Sequence, residues 1–397
     1  MIWGVLALAI WLGLLATGFW LCTERDDAVR LIEPALWPEV VAVIPARNEA
    51  DVIARSLGSV AAQDYPGPFR VVLVDDNSGD GTGTIARGLG GGGPSTSSGR
   101  ADVENSPQDP LRPSLSKPAH DIRVLQGAPL AQGWTGKLWA LSQGIAQAGT
   151  PRFLWLTDAD IEHAPDTLRR LVGIALTKDR RLVSFMAKLH CQTWPERALV
   201  PAFIWFFMML YPFNWINRRS PVAGAAGGCV LVERAALEAA GGIAAMRGAL
   251  IDDCTLGALI KRQGPIWLGL TNRSRSIRPY VGAGEIAAMI SRSAYAQLRY
   301  NPAILALTVL GLALVFGLPI ALLFASGTPQ LLGLATCGLM VIAYQPLLRF
   351  YRRSPLWGLA LPLVAAFYAW CTLASAWQHA QGRGGMWKGR AQAPVVR

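Results

Sequence analysis

Four long apolar runs, one at the start of the chain and three near its end, constrain the fold of this sequence more than any other feature. The first run, Ile2 to Leu21, has no charged residue and is about as long as one bilayer-spanning helix. No Lys or Arg precedes it and bulky residues end it, which favours an uncleaved anchor over residues 1–22 rather than a secretory signal peptide. Three further uncharged runs predict C-terminal transmembrane helices within 303–377: Ile304–Ala325, Leu331–Leu348 and Leu356–Ala376.

The composition agrees with a soluble domain joined to membrane helices. Of the 397 residues 52% are hydrophobic and only 16% are charged, which is too apolar for an ordinary soluble enzyme. The net charge of +11 suits anionic lipids, phosphate-bearing substrates or nucleic acid, but arginines beside membrane helices explain it equally well. The middle of the sequence has no basic–aromatic stripe, which argues against nucleic acid as a partner. The six scattered cysteines form no CxxC pair, which favours a reducing compartment.

The loops between the C-terminal runs predict the orientation. The link SGTPQ has no charge, whereas RFYRRS carries Arg349, Arg352 and Arg353. By the positive-inside rule, the arginine loop and the large middle domain face the cytoplasm of a bacterial-type inner membrane. Three spans would then put the basic tail, 378–397, outside. Either one run is re-entrant or interfacial, or the tail is tolerated outside, and the sequence leaves both open.

A fifth apolar stretch lies inside the middle region, from Ala198 to Ile216. It is interrupted by Pro201 and Pro212, is rich in aromatic residues and is followed by two arginines. These features favour a helix that lies in the membrane interface over one that crosses the bilayer.

The middle region, 38–300, alternates short Val/Ile/Leu runs with amphipathic helical patterns. This alternation predicts an α/β domain with a mostly parallel sheet covered on both faces. In such sheets ligands bind beyond the carboxyl ends of the strands, so polar residues that follow a strand are candidates for a site. A Gly/Ser/Pro-rich segment, 88–118, is predicted to be a disordered insertion.

Three pairs of acidic residues are candidates, and the first two stand at such positions. Asp75 and Asp76 follow the strand pattern VVLV, and they either hold a ligand or close a turn. Asp158 and Asp160 in LWLTDAD project to one side of an extended chain, where a divalent cation would relieve their repulsion. The alternative is that Asp160 caps a helix that begins near Ala164.

The third acidic pair, Asp252 and Asp253, precedes a helical pattern, so one acid is an N-cap candidate and the other a candidate general base. Asn48 is likewise a helix-cap candidate, and Glu49 has no local structural role. Lys137 opens a helix, where it either meets phosphate or lies exposed on the surface.

The order of these motifs is more specific than any one of them. The chain contains, in order, PARNE, VDDNSGDGT, GWTGKLWAL, TDAD, GGCVLVERAALEAAGG and DD, followed by the apolar runs. Over roughly Val40 to Tyr300 this resembles the family 2 glycosyltransferases of the GT-A fold. The anchor, the WTGKLWAL block and the three C-terminal runs resemble the hopene-associated glycosyltransferase (HpnB) group in particular, and ceramide glucosyltransferases have a similar layout.

The resemblance implies a role for each motif. One of Asp75 and Asp76 contacts the nucleotide base, Asp158 and Asp160 hold Mg²⁺ or Mn²⁺ on the diphosphate, and Asp253 is the general base beside Asp252. Gly227 and Gly228 correspond to the small residues at the acceptor site. The residues implied to bind the nucleotide sugar are Pro45, Arg47, Glu49, Asp75, Asp76, Lys137, Asp158 and Arg299.

One motif departs from the family. Processive synthases carry QxxRW before their membrane helices, whereas this chain has AQLRYNP, with Arg299 kept, Tyr300 in place of Trp and Ala296 in place of Gln. The resemblance therefore implies a metal-dependent, inverting transfer of a single sugar to a lipid acceptor such as a hopanoid. Transfer to a polyprenyl phosphate, processive polysaccharide synthesis and a transport or assembly protein with a degenerate nucleotide-binding domain are the alternatives.

Overall fold

The computed structural model of the chain describes residues 1–90, 121–387 and 390–391. Of the predicted insertion, 88–118, only residues 88–90 fall within them, and the rest lies outside the described residues. Residues 388–389 and 392–397 of the basic tail also lie outside.

The helices of the described residues are α1 Ile2–Ala16, α2 Ile53–Ala61, α3 Thr82–Leu89, α4 Gly136–Ala146, α5 Thr167–Thr177, α6 Trp194–Leu210, α7 Phe213–Ile216, α8 Arg234–Ala239, α9 Asp252–Lys261, α10 Ala283–Gln297, α11 Pro302–Leu312, α12 Leu318–Leu322, α13 Thr328–Phe350 and α14 Leu361–Ala380. The strands are β1 Val40–Ala46, β2 Phe69–Asp75, β3 Asp121–Gln126, β4 Phe153–Thr157, β5 Ile161–His163, β6 Leu182–Lys188, β7 Cys229–Glu233, β8 Ile266–Ser276, β9 Met386–Trp387 and β10 Arg390–Ala391.

Within the described residues, eight strands form one sheet in the order β3-β2-β1-β4-β7-β6-β8-β5. The block β3-β2-β1-β4 is parallel throughout. β7 runs antiparallel to both β4 and β6, and β5 runs antiparallel to β8. The predicted α/β fold is therefore confirmed, as a mixed sheet whose parallel half comes first in the chain.

Both faces of this sheet are buried, as the continuous apolar strand sequences predict. Val40, Ala42 and Ile44 of β1 belong to one core, which α2 and α5 cover. Val41 and Val43 belong to the other core, which includes residues of α4 and of the membrane-type helices. One layer of the catalytic domain is thus continuous with the apolar helices.

In the described part of the chain, three helical segments are long and apolar enough to cross a membrane: Pro302–Leu322, Thr328–Phe350 and Pro355–Ala380. The predicted anchor is shorter than its apolar run, because α1 ends at Ala16 and Gly18 adopts a left-handed φ of 72°. Its 15 residues extend over roughly 22 Å, less than the hydrocarbon thickness of a bilayer. A full crossing by α1 stays a prediction.

The stretch predicted to lie in the interface forms α6 and α7. Thr193 and Glu196 make a capping box at the start of α6. The Trp205 indole of α6 donates to the Ala343 carbonyl of α13, and the Tyr368 hydroxyl of α14 donates to the Leu199 carbonyl. α6 thus packs between the sheet and the apolar helices, and its position in the interface stays a prediction.

The last long helix, α14, lies alongside α10 rather than apart from the catalytic domain. The Ser291 hydroxyl donates to the Cys371 carbonyl, and the Tyr295 amide donates to the Ser375 hydroxyl. Further along, the ring of Tyr300 stacks on that of His379, with the ring centroids 4.3 Å apart. The two helices therefore run side by side in the same direction, and α14 ends beside the residues that lead into α11.

Candidate active site

The carboxyl ends of β1, β2 and β4 meet at one edge of the parallel block, and most of the predicted site residues lie there. Asp75 ends β2, and Asp158 and Asp160 follow β4. Pro45 and Asp158 line a cleft of about 330 Å³. The rest of the cleft wall includes Lys137, Gly227, Asp252 and Asp253 and the apolar residues Leu141, Leu156, Val230, Met246 and Leu256.

Asp75 and Asp76 both have structural roles in the turn after β2. Asp75 is buried, and its carboxylate accepts a hydrogen bond from the Ser78 amide at 3.0 Å. A Cβ built at Gly83 would overlap the Asp75 carboxylate, so glycine there lets α3 approach closely. Asp76 is also buried, and its side chain lies 3.7 Å from the Arg47 guanidinium. These aspartates therefore close the turn after β2, and a nucleotide contact by one of them stays a prediction.

Asn48 docks the segment after β1 onto the same turn and does not cap a helix. It has a positive φ of 51°, its side chain accepts from the Gly79 amide, and its amide donates to the Ser78 hydroxyl. α2 begins only at Ile53, with Val52 at its N-cap. The helix-cap alternative for Asn48 is therefore wrong, because the side chain is engaged by the neighbouring loop.

Lys137 joins the two acidic motifs. Its ammonium lies 2.8 Å from the Asp158 carboxylate and 3.1 Å from that of Asp252. Burial would lower the pKa of Lys137, but the two carboxylates outweigh that effect and raise it above its usual range. The alternative of an exposed surface lysine is therefore wrong.

Asp253 lies on the other side of the same cluster. Its carboxylate accepts from the Gly227 amide at 3.1 Å and from the Cys254 amide at 2.7 Å. Burial and the neighbouring Asp252 raise the pKa of Asp253 to about 6. α9 begins at Asp252 with Ile251 as its N-cap, so neither aspartate caps the helix and both are directed into the cleft.

The glycine pair sits directly beside these groups. A Cβ built at Gly227 would lie 3.1 Å from the Lys137 nitrogen and 3.3 Å from the Asp253 Cβ. The Gly228 carbonyl accepts from the Thr157 hydroxyl at the end of β4. Gly227 therefore borders the charged cluster, while Gly228 anchors β7 to β4.

Asp158 and Asp160 form a second acidic pair, after β4. Burial, Asp158 and Glu49 together raise the pKa of Asp160 to about 6. The chain continues from Asp160 into β5, and α5 begins only at Thr167. The helix-cap alternative for Asp160 is therefore wrong.

Two carboxylates fit a divalent metal of the kind that binds phosphates. Among the described residues no group of three His, Cys, Asp or Glu side chains forms a self-contained metal site. Mg²⁺ commonly binds through one or two carboxylates plus substrate phosphates and water. Asp158 and Asp160, whose mutual repulsion is visible in the raised pKa of Asp160, match that donor set.

Arg278 is part of the site although no sequence pattern pointed to it. It follows β8, and its guanidinium pairs with Glu49 and lies 3.8 Å from the Asp160 carboxylate. This position is reached by a strand that comes more than a hundred residues after Asp160 in the chain, so no local motif contains it.

Arg299 is placed at the end of α10, where it is exposed and has a positive φ of 54°. The neighbouring Gln297 amide donates to the Tyr211 hydroxyl at 2.6 Å, and that hydroxyl lies beside Cys254 of α9. The end of α10 therefore approaches the start of α9, which carries Asp252 and Asp253, and nucleotide-sugar binding by Arg299 stays a prediction.

Comparison with known proteins agrees with this arrangement. The model of glycosyl transferase family 2 matches residues 41–96 and that of glycosyl transferase family 21 matches residues 116–391. An N-acetylglucosaminyltransferase of Rhizobium sp. (strain N33) is 43% identical over 51 residues, which are 13% of this chain and 11% of that protein.

Comparison with solved structures gives one match that bears on the fold and a weaker one that does not. The mannosyltransferase PcManGT from Pyrobaculum calidifontis, in complex with GDP-Man and Mn²⁺, superposes with a TM-score of 0.55 at 19% identity over 95% of this chain and 99% of that one. The mannosyl-3-phosphoglycerate synthase from Rubrobacter xylanophilus has a TM-score of 0.38 at 16% identity over 66% of this chain and 72% of that one. The former likeness supports the GT-A fold over nearly the whole chain.

The family 21 match covers more than half of the chain, and the family 2 match adds the first two strands and the turn with Asp75 and Asp76. These matches, together with the mixed sheet and the acidic cleft at its edge, identify the chain as a member of glycosyl transferase family 21, with an N-terminal region of the family 2 type.

Proposed function

We propose that the protein is a membrane-bound, inverting transferase that moves one sugar from a nucleotide diphosphate sugar to a lipid acceptor. The observation that carries the proposal is the Lys137 bridge between Asp158 and Asp252, with Asp253 beside it. It puts a donor-side carboxylate and the candidate base in one cleft, a few ångströms apart, as a single direct displacement requires.

On the donor side, Asp158 and Asp160 are the residues that would hold Mg²⁺ or Mn²⁺. When bound, such a metal supplies positive charge that stabilises the leaving diphosphate. The turn with Asp75, Asp76 and Arg47 lies at the ends of β1 and β2, where a nucleotide base and ribose would lie in this kind of sheet.

On the acceptor side, Asp253 would take the proton of the attacking hydroxyl. The Gly227 amide orients its carboxylate, and burial and Asp252 raise its pKa to about 6, which keeps it basic enough to act near neutral pH. No covalent sugar–enzyme intermediate is needed, so the anomeric configuration would be inverted.

A lipid acceptor is supported by the helices that border this side of the cleft. α10 reaches it through the Gln297–Tyr211 hydrogen bond and packs along the apolar α14. A lipid held among these helices would present its hydroxyl to Asp253. A hopanoid acceptor is suggested by the family resemblance of the motifs.

The contacts of the apolar helices support an orientation. Lys188 of β6 donates to the Phe350 carbonyl at the end of α13, so the arginine loop lies on the side of the catalytic domain. α14 begins near Trp194 of α6, through the Trp357 ring at 5.5 Å, and ends near Tyr300. We therefore propose that α14 is interfacial rather than spanning, that both its ends face the cytoplasm of a bacterial-type inner membrane, and that the basic tail stays there too.

The first experiment is a transfer assay with radiolabelled UDP- and GDP-sugars into extractable lipid, in membranes that carry the wild-type protein, Asp253→Asn or Asp64→Asn. Asp64 is an exposed acid paired with Arg169 away from the cleft, so its variant is a matched control. We expect label in lipid with the wild type and the control, and loss of label with Asp253→Asn and with EDTA.

Two outcomes would contradict parts of the proposal. If labelled lipid still forms with Asp253→Asn, the protein is a transferase but Asp253 is not its general base. No label from any donor, with protein that is folded and in the membrane, would favour a degenerate nucleotide-binding domain.

A further inference from the structure

Two cationic side chains, Lys137 and Arg278, each lie among three carboxylates of the site. Lys137 faces Asp158, Asp252 and Asp253. Arg278 faces a second set of three, Glu49, Asp51 and Asp160. The carboxylates repel a diphosphate that enters this cleft unless cations offset their charge. Donor binding therefore depends on whether each of these cations contacts the diphosphate.

Arg278 is held firmly by the backbone around it. The amide of Ile277 donates to the Asp160 carbonyl at 3.0 Å. Two residues further on, the Tyr280 amide donates to the buried Glu196 carboxylate, and the Val281 amide donates to Glu285. The short segment between β8 and α10 is thus fixed on both sides of Arg278, which directs the guanidinium toward the donor-side carboxylates.

The guanidinium has hydrogen-bonding capacity beyond its tight pair with Glu49. Its contacts to Asp51 and Asp160, at 3.4 and 3.8 Å, are longer than ordinary hydrogen bonds. Arginine carries five N–H donors in a planar fork that matches two phosphate oxygens. The Arg278 side chain is 34% exposed, against 21% for Lys137, so a ligand can reach it.

We propose that Arg278 binds the diphosphate of the nucleotide sugar and that Glu49 positions it by holding one edge of its guanidinium. Arg278 would remain tied to Glu49 while its other donors turn from Asp51 and Asp160 to phosphate oxygens. This rests on the proposed function, and it assigns to Arg278 a contact for which Arg299 was the sequence candidate.

The test measures nucleotide affinity rather than turnover. Full-length protein in nanodiscs is titrated with UDP, GDP, UMP and GMP in the presence of Mn²⁺, for the wild type, Arg278→Gln, Arg278→Lys and Arg275→Gln. Arg275 lies on β8, three residues before Arg278, and pairs with Glu162, so its variant loses the same charge near the site without touching the cleft.

We expect Arg278→Gln to weaken diphosphate binding about tenfold to a hundredfold, the range for hydrogen bonds to a charged group, and to change monophosphate binding less than threefold. Arg278→Lys should recover part of the loss, since it keeps the charge without the fork. Arg275→Gln should bind like the wild type.

Equal effects of Arg278→Gln on di- and monophosphate, or none on either, would overturn the inference while leaving the proposed function in place. A wild-type protein that binds none of the four nucleotides would overturn both. Glu49 is tested by the double variant: if it acts through Arg278, Glu49→Gln added to Arg278→Gln causes no further loss of diphosphate affinity.

Discussion

The environment of Asp253 predicts how the transfer rate depends on pH. Burial and Asp252 raise its pKa to about 6, and a general base acts only when deprotonated. The transfer rate should therefore fall as the pH drops through 6 and be constant above it. At pH 5 a single group with this pKa leaves the rate about tenfold below the plateau.

The pKa of Asp160 is also raised to about 6. The variant Asp252→Asn shows which of Asp253 and Asp160 causes the fall in rate at low pH. Removing the Asp252 charge lowers the pKa of Asp253, so the acid limb of the rate profile should move to lower pH in the variant with residual activity. An acid limb that stays at the same pH would assign it to Asp160 or another group.

Gly227 is predicted to be needed for its lack of a side chain. A Cβ there would lie 3.1 Å from the Lys137 nitrogen, so the ammonium must shift slightly relative to Asp158 and Asp252. Gly227→Ala should lower the transfer rate at least tenfold with little change in melting temperature. Gly58→Ala in α2, where a Cβ meets nothing within 4 Å, is the control and should be neutral or slightly stabilising. Equal rates for the two variants would contradict the prediction.

At the residue scale, the sequence was most informative where charged residues directly follow a strand pattern or open a helical one. Asp158, Asp160, Asp252, Asp253 and Lys137 were all singled out, and they lie together. The helix-cap alternatives for Asn48 and Asp160 fail because their partners come from another loop or because a strand intervenes. Arg278 could not be found, since its contact with Glu49 depends on how β8 lies in the sheet.

At the scale of secondary-structure elements, the contacts at the start of α6 predict how a substitution of Glu196 changes stability. Glu196 is fully buried, and its carboxylate accepts from the amides of Gln192, Thr193 and Tyr280 and contacts His190. These donors outweigh burial and lower the pKa of Glu196 to about 2. Glu196→Gln replaces one acceptor oxygen by a donor, and should cost about 1.5–3 kcal/mol of stability.

The same change should also loosen the segment that carries Arg278. Glu196→Gln is therefore expected to lower the melting temperature and to weaken nucleotide diphosphate binding together. Glu285→Gln removes the charge of a side chain that accepts from the Val281 amide but keeps one acceptor oxygen, and it should have a smaller effect on both. A variant that melts like the wild type would show that the Glu196 contacts add little to stability.

The parallel block of the sheet was predictable because its strands are continuous apolar runs between helical patterns. The antiparallel strands were not, because the direction of β7 between β4 and β6 depends on packing rather than on its own residues. The length of α1 was overestimated for a related reason: apolar composition continues to Leu21, but the backbone turns at Gly18.

At the scale of the whole molecule, the sequence left open on which side of the membrane the basic tail lies. By apolar length alone, three C-terminal helices could span the membrane. Three spans would put the tail and the arginine loop on opposite sides of the membrane. Trp357, just before α14, contacts Trp194 of α6, and His379 near the end of α14 contacts Tyr295 and Tyr300. These contacts favour the interfacial alternative. An uncharged sequence cannot distinguish these cases, since a helix in the interface and a span can have the same composition.

The orientation is tested by single cysteines labelled with a membrane-impermeant thiol reagent in intact cells and in inverted vesicles. Ser354→Cys reports the arginine loop, Phe324→Cys the link between α12 and α13, and Gln381→Cys the residue after α14, in a background without the natural cysteines. We expect Gln381→Cys to label with Ser354→Cys in inverted vesicles and Phe324→Cys to label in intact cells. Because α14 packs along α10, a crossing helix would have to break the Tyr295–Ser375 and Tyr300–His379 contacts. Labelling of Gln381→Cys together with Phe324→Cys would show that it does cross, and that the tail lies outside.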